Sequence, residues 1–128
     1  MSQDIDILNW GVRIGIQAKL DGFPRAQIEK LLEALELSTD PEASVYLVSV
    51  FAFRQASRLG RGDRTARLIS QAISSLKSST KAAAGLKEAT RRTLGVAKWV
   101  YEAVERRRIP RVDASKATVD QLLKILAG

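Results

Sequence analysis

Apolar residues recur every three to four positions along most of the chain, which is the spacing that places side chains on one face of an α-helix. No stretch alternates between apolar and polar residues as a half-buried strand would. The predicted helices cover about residues 4–19, 24–36, 41–59, 63–76, 82–107 and 118–126. This pattern predicts an all-α protein, a compact bundle of five to six helices.

The most apolar stretch, residues 43–53, contains no charged side chain. Asp40 and Pro41 precede it, as an N-cap and a residue suited to the first helical position. A helix that is apolar on nearly every side is expected to be buried. We therefore expect a single domain, residues 1–128, in which the other helices surround a buried central helix over about residues 41–59.

Two further features concern the predicted helix over residues 82–107. Gly85 and Gly95 lie inside it, and each costs about 1 kcal/mol relative to alanine, so both are expected to mark a close backbone approach to another helix or to a ligand. The serine- and threonine-rich segment before it is expected to form a mobile basic loop over residues 77–81 that closes over nucleic acid, or a plain flexible connector. Thr118 and Gln121 predict a capping box for the last helix.

The apolar stretch leads directly into the densest arginine cluster of the chain. Arg54 and Arg58 are spaced i, i+4 near the C-terminal end of the central helix, where the helix dipole favours cations. Arg64 and Arg67 follow Asp63, the expected N-cap of the next helix, and fall where the dipole disfavours positive charge. An anion is therefore expected to compensate these two arginines.

A turn with the sequence Gly60-Arg61-Gly62-Asp63 joins the two helices. Free backbone N–H groups at a helix N-terminus, flanking glycines and several guanidinium groups together indicate a receptor for a nucleic-acid backbone. The alternative is a solvated connector whose arginines pair with glutamates elsewhere. The candidate nucleic-acid-binding residues, which include three cations on the outer face of the predicted helix over 82–107, are Arg54, Arg58, Arg61, Arg64, Arg67, Arg91, Arg92 and Lys98.

Other cations and aromatic residues receive structural assignments. Arg106, Arg107 and Arg108 are assigned to the negative end of a helix dipole. Trp10 lies outside the apolar stripe of its helix and is assigned to packing or, alternatively, to base stacking or partner docking. Trp99 is assigned, with Tyr101, to the core or its rim.

The composition narrows the possible chemistry. The chain has 21 Lys and Arg, 14 Asp and Glu, a net charge of +7, and neither cysteine nor histidine. This excludes disulfides, thiolate nucleophiles, imidazole bases and the usual zinc and haem ligands. The Gly60-x-Gly62 pattern lacks the Lys-Ser/Thr ending of a P-loop and follows a helix. We therefore expect a binding protein with no enzymatic activity, cofactor or metal.

Charge is distributed unevenly along the chain. Residues 1–43 carry four basic and eight acidic side chains, whereas residues 77–111 carry ten basic and three acidic ones. This asymmetry suggests one surface for polyanions and another that meets the basic side of a neighbouring copy. The acidic N-terminus is unlike a signal peptide, and no apolar run approaches the roughly 20 residues that span a bilayer, so a cytoplasmic protein without membrane contact is expected.

Short motifs within about residues 25–105 carry a family resemblance. They are Gln27-Ile28-x-Lys30-Leu31-Leu32, Tyr46-Leu47, Phe53-x-Gln55-Ala56-x-Arg58 and an aromatic-bearing helix near Trp99 and Tyr101. Together they resemble the small helical subunit of type III CRISPR effector complexes of the Csm kind. Arg58 occupies a position of the matching motif, whereas Arg61, Arg64 and Arg67 are candidates on grounds of charge alone.

The resemblance implies a small helical bundle present in several copies, stacked head to tail beside the other subunits of a ribonucleoprotein. In that role the protein contacts guide RNA and target RNA without cutting either. Base pairing already supplies sequence specificity in such a complex, so the protein needs only to neutralise phosphates and hold shape. The alternative function is a structural protein that coats or compacts double-stranded DNA through the same arginines.

Overall fold

The computed structural model describes residues 3–128, and every regular element in this range is helical. The elements are α1 (Gln3–Asp21), α2 (Arg25–Leu35), α3 (Pro41–Leu59), α4 (Asp63–Ser78), α5 (Ala83–Val104), a 3₁₀ turn (Ala114–Lys116) and α6 (Val119–Ala127). The predicted all-α bundle is confirmed. Within residues 3–128, no helix has both the length and the apolar character needed to cross a membrane.

The tightest helix pair is α1 against α5. A Cβ atom added at Gly11 would lie 2.4 Å from Cγ1 of Val96, and one added at Gly15 would lie 2.8 Å from the backbone oxygen of Ala97. Only glycine allows the two helices to approach so closely. Gly95 does not mark an approach to another helix, because a Cβ added there would meet no atom within 4 Å, and its alternative role in the approach of a ligand stays a prediction.

The expectation for Gly85 also differs from the structure. A Cβ added at Gly85 would approach a methyl group, Cγ2 of Thr80 at 3.0 Å, in the connector before α5. This contact lies within the α4–α5 connection, so Gly85 does not mark a helix crossing.

Helix α3 begins and ends as predicted. The Asp40 carboxylate accepts a hydrogen bond from the Glu42 backbone N–H at 3.1 Å, and Gly60 ends the helix with a φ of 67°. Burial, however, is confined to one side, because Tyr46, Val50 and Phe53 are 48, 67 and 40% exposed. The expectation of a helix buried on nearly every side is therefore corrected.

Helix α5 occupies the central position instead, since it packs against α1, α2, α3 and α4. Its small and β-branched buried residues, such as Ala89, Thr93 and Ala97, suit close contact with several helices. The long uncharged run of α3 is explained by a buried face and an exposed apolar face on the same helix.

The segment predicted as a basic loop is shorter than expected. Helix α4 continues to Ser78, so only residues 79–82 connect it to α5. The Thr80 hydroxyl donates a hydrogen bond to the backbone oxygen of Leu76 at 2.6 Å and accepts one from the Gln3 side chain at 2.7 Å. The hydroxyl groups therefore close the end of α4 and connect it to the start of α1.

The C-terminal segment packs on the outside of the α1–α5 pair. The predicted capping box is confirmed: the Thr118 and Gln121 side chains each accept a hydrogen bond from the other residue's backbone N–H. Leu122 of α6 is buried with Val12, whereas Leu123 is 56% exposed.

Candidate nucleic-acid interface

The Gly60–Gly62 turn has its glycines for reasons of backbone and packing. Gly60 and Gly62 have φ angles of 67° and 90°, which glycine adopts at low cost. A Cβ atom on Gly62 would also lie 2.4 Å from Cδ1 of the buried Phe23. The turn thus packs against the α1–α2 connection. Backbone conformation and packing explain both glycines, so neither is evidence of a phosphate-binding site.

The N-terminus of α4 is already capped by a carboxylate. Asp21 accepts hydrogen bonds from the backbone N–H of Thr65 at 3.0 Å and from its hydroxyl at 2.7 Å. Gly62 is the N-cap residue, and Asp63 is the first residue of the helix. The prediction of Asp63 as the N-cap is therefore wrong.

Asp63 compensates one of the arginines in this first turn. Its carboxylate lies 2.7 Å from a guanidinium nitrogen of Arg67. Together with the Asp21 cap, this pair supplies the expected compensation for Arg67, whereas Arg64 has no carboxylate partner within residues 3–128. The alternative of internal pairing thus applies to Arg67, and the helix N-terminus does not offer free N–H groups at Thr65.

The predicted contacts on α5 are also paired inside the molecule. Arg91 lies 2.6 Å from Glu36 and also pairs with Glu88. Arg92 lies 3.1 Å from Asp4. The third cation on this helix, Lys98, lies 3.5 Å from Glu29. Asp4 of α1, Glu29 of α2, Glu36 just after α2 and Glu88 of α5 itself therefore pair with the cations of α5, and these acidic groups are used within the fold.

The pair between Glu36 and Arg91 shifts the pKa values of both groups. Hydrogen bonds from Arg91, with the nearby charges of Arg91 and Lys87, hold the pKa of Glu36 below its ordinary value. The hydrogen bond to Glu36 raises the pKa of Arg91 above its ordinary value. Both groups thus remain charged over a wider pH range than in an unfolded chain.

Arg54 belongs to a polar network between α2 and α3. Its guanidinium donates to the Gln55 side-chain oxygen at 2.6 Å, and the Gln55 amide donates to Gln27 at 2.6 Å. Gln55 is buried, and the Arg54 guanidinium also lies 6.0 Å from the Phe51 ring centre. Two residues of the family-like motifs, Gln27 and Gln55, therefore join these helices.

A second group of arginines has no carboxylate partner within the described part of the chain. Three of them belong to the predicted site, Arg58, Arg61 and Arg64, and all three are exposed. The others follow the end of α5. We call the whole group the basic pole; it comprises Arg58, Arg61, Arg64, Arg106, Arg107, Arg108 and Arg111.

Helix direction brings the basic pole together at one end of the bundle. Gly11 faces Val96 and Gly15 faces Val100, so α1 and α5 run in the same direction. The Lys19 ammonium then donates to the backbone oxygen of Glu105, which places the two C-terminal ends side by side.

The Gly60–Gly62 turn lies at the same end. The Arg61 side chain packs at Gly22, just past the end of α1. A cavity of about 260 Å³ lies between α4 and the 3₁₀ turn and is lined in part by Arg64, Asp113 and Ser115. The C-terminal ends of α1, α3 and α5 thus meet at the basic pole, where their dipoles favour cations, and the N-terminus of α4, whose dipole disfavours them, lies at the same end.

Only three of the seven arginines of this surface belong to the site predicted from the sequence. Arg106, Arg107 and Arg108 were assigned to the helix dipole, and Arg111 received no assignment. The signal was present as a run of arginines extending past the end of α5 towards Pro110. The parallel course of α1 and α5, which places that run beside the turn, is not encoded in any local pattern.

The two tryptophans differ from their assignments. Trp10 is partly buried against the core, and the Arg13 guanidinium lies 4.8 Å from its ring centre, so its packing role is confirmed. Trp99 is 71% exposed, which corrects its assignment to the core or its rim.

No protein-family model, curated protein or solved structure matches this chain. Over residues 3–128, no cluster of three His, Cys, Asp or Glu side chains could hold a metal ion. The surface of the molecule is therefore the basis for a functional assignment, and its most distinctive feature is the basic pole.

Proposed function

We propose that this protein is a non-catalytic RNA-binding protein that contacts the RNA backbone through its basic pole. The observation that carries the proposal is the concentration of exposed, unpaired guanidinium groups at one end of a bundle whose other cations are largely paired. Guanidinium groups match phosphate oxygens in geometry and remain charged at all physiological pH values.

Backbone contact suits these residues better than base reading. Specific base recognition in a duplex uses polar side chains presented by a helix or a strand within a groove. The basic pole is made of helix ends and connectors, and it consists of arginines alone. Such a surface binds phosphates independently of sequence.

The resemblance in the sequence supports a narrower role. We propose that the protein acts as a small subunit of a type III CRISPR effector complex in the cytoplasm, beside guide RNA and target RNA. The other subunits and further copies of this chain would be its protein partners. Base pairing would provide the specificity of that complex, and the basic pole would neutralise the backbone.

The decisive experiment compares two variants of similar charge loss. In the first, Arg58, Arg61 and Arg64 are replaced by alanine; in the second, Arg91, Lys98 and Lys124 are replaced by alanine, each of which is paired with a carboxylate. Fluorescence anisotropy with labelled single-stranded RNA at one fixed salt concentration measures binding. The first variant is expected to bind much more weakly than the second, because only its arginines lack a carboxylate partner among residues 3–128.

A third variant in the same titration has Arg106, Arg107 and Arg108 replaced by alanine. The titration is also repeated with double-stranded DNA as the probe. A loss of RNA affinity in this variant is expected because these arginines belong to the same pole. Equal affinity of the three variants for RNA would contradict the proposal. Tighter binding and compaction of double-stranded DNA would instead favour the alternative coat function.

A further inference from the structure

A groove on the outer side of the α1–α5 pair contains the exposed Trp99. Its volume is about 440 Å³, and its lining is predominantly apolar, with Ile7, Leu8 and Val96 among the residues. Trp99 is 71% exposed, which is unusual for a side chain with so large an apolar surface. Such a groove needs an explanation other than packing within the chain.

Gly95 forms the open floor of this groove. A Cβ atom added at Gly95 would meet nothing within 4 Å, so no neighbouring helix explains the glycine. Glycine is less favourable than alanine in a helix interior. The free space that Gly95 leaves lies between Arg92 and Trp99, three residues after the first and four before the second.

Arg92 and Trp99 close the two ends of the space above Gly95. They are seven residues apart, so they share one face of α5 and are separated by about 10 Å along the helix axis. The guanidinium and the indole are both flat groups on which an aromatic ring can stack. At the rim, Asp4 lies 3.1 Å from the Arg92 guanidinium and holds it by an ion pair.

The groove and the basic pole are neighbours along α5. Arg106 follows Trp99 by seven residues and lies two residues past the end of the helix at Val104. A strand whose phosphates contact Arg106 would therefore pass beside Trp99. Flat stacking surfaces joined to a cationic surface are the combination that recognises single-stranded nucleic acid.

We propose that the space between Trp99 and Arg92 above Gly95 is a stacking site for one nucleobase of single-stranded RNA. This inference rests on the proposed function and adds to it a preference for unpaired nucleotides. The alternative occupant is an apolar side chain of a protein partner. Such a side chain would pack against the indole, but it would make no use of the guanidinium or of the adjoining arginines.

Tryptophan fluorescence tests the site directly. The chain has two tryptophans, so Trp10→Phe leaves Trp99 as the sole reporter. The probe is an oligouridylate of about ten nucleotides, within the usual site size for single-strand binding. A second probe is an abasic oligonucleotide of equal length, which carries the same phosphates without bases.

We expect oligouridylate to quench Trp99 emission and the abasic probe to bind without quenching. Gly95→Leu places a larger side chain in the space, where a Cβ atom meets nothing within 4 Å, and Trp99→Ala removes the platform. Each is expected to weaken oligouridylate binding by at least about fivefold and to leave abasic binding unchanged, because stacking contributes only when a base is present. Thermal unfolding monitored by circular dichroism verifies that both variants are folded.

The results separate this inference from the proposed function. If oligouridylate binds but neither quenches Trp99 nor distinguishes the variants, the stacking site is refuted while backbone binding stands. If oligouridylate quenches Trp99 and alanine at Arg58, Arg61 and Arg64 leaves its affinity unchanged, the stacking site stands and the basic pole fails. Absence of any RNA binding, or a change in Trp99 emission caused only by self-association, overturns the stacking site.

Discussion

The carboxylate of Asp21, at the end of α1, accepts hydrogen bonds from both the backbone N–H and the hydroxyl of Thr65, at the start of α4. Asp21 therefore caps the N-terminus of α4 although it is 44 residues from Thr65 in the sequence. Thr65 is fully buried, so loss of Asp21 would leave two donors without a partner. This bond fixes the position of the Gly60–Gly62 turn and of the arginines next to it.

We predict that Asp21→Ala lowers the free energy of unfolding by about 1 to 2 kcal/mol, the upper part of the range for a lost N-cap. Asp63→Ala is the matched control, because its exposed pair with Arg67 contributes about 0.3 to 0.5 kcal/mol. Urea denaturation at neutral pH measures both values. A larger loss for Asp63→Ala would show that the local carboxylate is the cap.

A second prediction concerns the α1–α5 crossing. Gly15→Ala should destabilise the protein by about 1 to 3 kcal/mol, because the new methyl group would press on the Ala97 backbone oxygen and force the helices apart. Gly95→Ala should stabilise it by up to about 1 kcal/mol, since alanine favours the helix and meets open space. Thermal unfolding that ranks the two variants in the opposite order would contradict this packing.

The Val96 side chain offers an additional control for the same crossing. A methyl group at Gly11 would lie 2.4 Å from Cγ1 and 2.6 Å from Cβ of Val96. Val96→Gly removes both atoms, so it should cost less stability in the Gly11→Ala background than in the wild type. It should give no such relief to Gly15→Ala, whose methyl group would lie 2.8 Å from the backbone oxygen of Ala97.

A third prediction follows from the lowered pKa of Glu36. Because the folded protein keeps Glu36 ionised at a lower pH than the unfolded chain does, the pair with Arg91 stabilises the fold above the ordinary glutamate pKa of about 4.3. That contribution is lost as the pH falls through the folded-state pKa. Wild-type protein should thus be more stable than Glu36→Gln near neutral pH, and the difference should shrink in acid.

Denaturant titrations of both proteins from neutral to acidic pH measure this difference. Glu33→Gln is a suitable control, since Glu33 is exposed and forms no ion pair within the described residues. A difference between wild type and Glu36→Gln that stays constant down to strongly acidic pH would exclude the pair with Arg91 as its cause.

A fourth prediction concerns salt. If the basic pole binds the RNA backbone, the logarithm of the affinity should fall linearly with the logarithm of the salt concentration. Each phosphate contact removed from a single strand should reduce the slope by about 0.7. Arg61→Ala should thus flatten the slope, whereas Arg92→Ala, paired with Asp4 in the free protein, should change it less. Equal slopes for both variants would argue against a localised contact.

Local patterns predicted the elements of this fold well. The start of α3 at Asp40 and Pro41, its end at Gly60 and the capping box of α6 are short-range signals, and all are present in the structure. Such signals depend on residues within one or two turns of each other. They reveal where a helix begins and ends, but not what it packs against.

The errors arose where tertiary contacts decide the outcome. The uncharged run of α3 predicted burial, yet Val50 is 67% exposed because a sequence cannot show which apolar face has a neighbour. Asp63 stood at the expected capping position, but Asp21 reaches α4 through the fold. Likewise, Arg91 and Arg92 appeared unpaired in sequence because Glu36 and Asp4 are distant along the chain.

The basic pole also has a consequence for how the molecule approaches a partner. With much of its acidic charge paired along the sides of the bundle, its surplus of unpaired arginines is at one end. A molecule charged in this way turns in the field of a polyanion before it makes contact, and it arrives with the basic pole first. Orientation would then be selected during diffusion, so that salt slows productive association as well as weakening the complex.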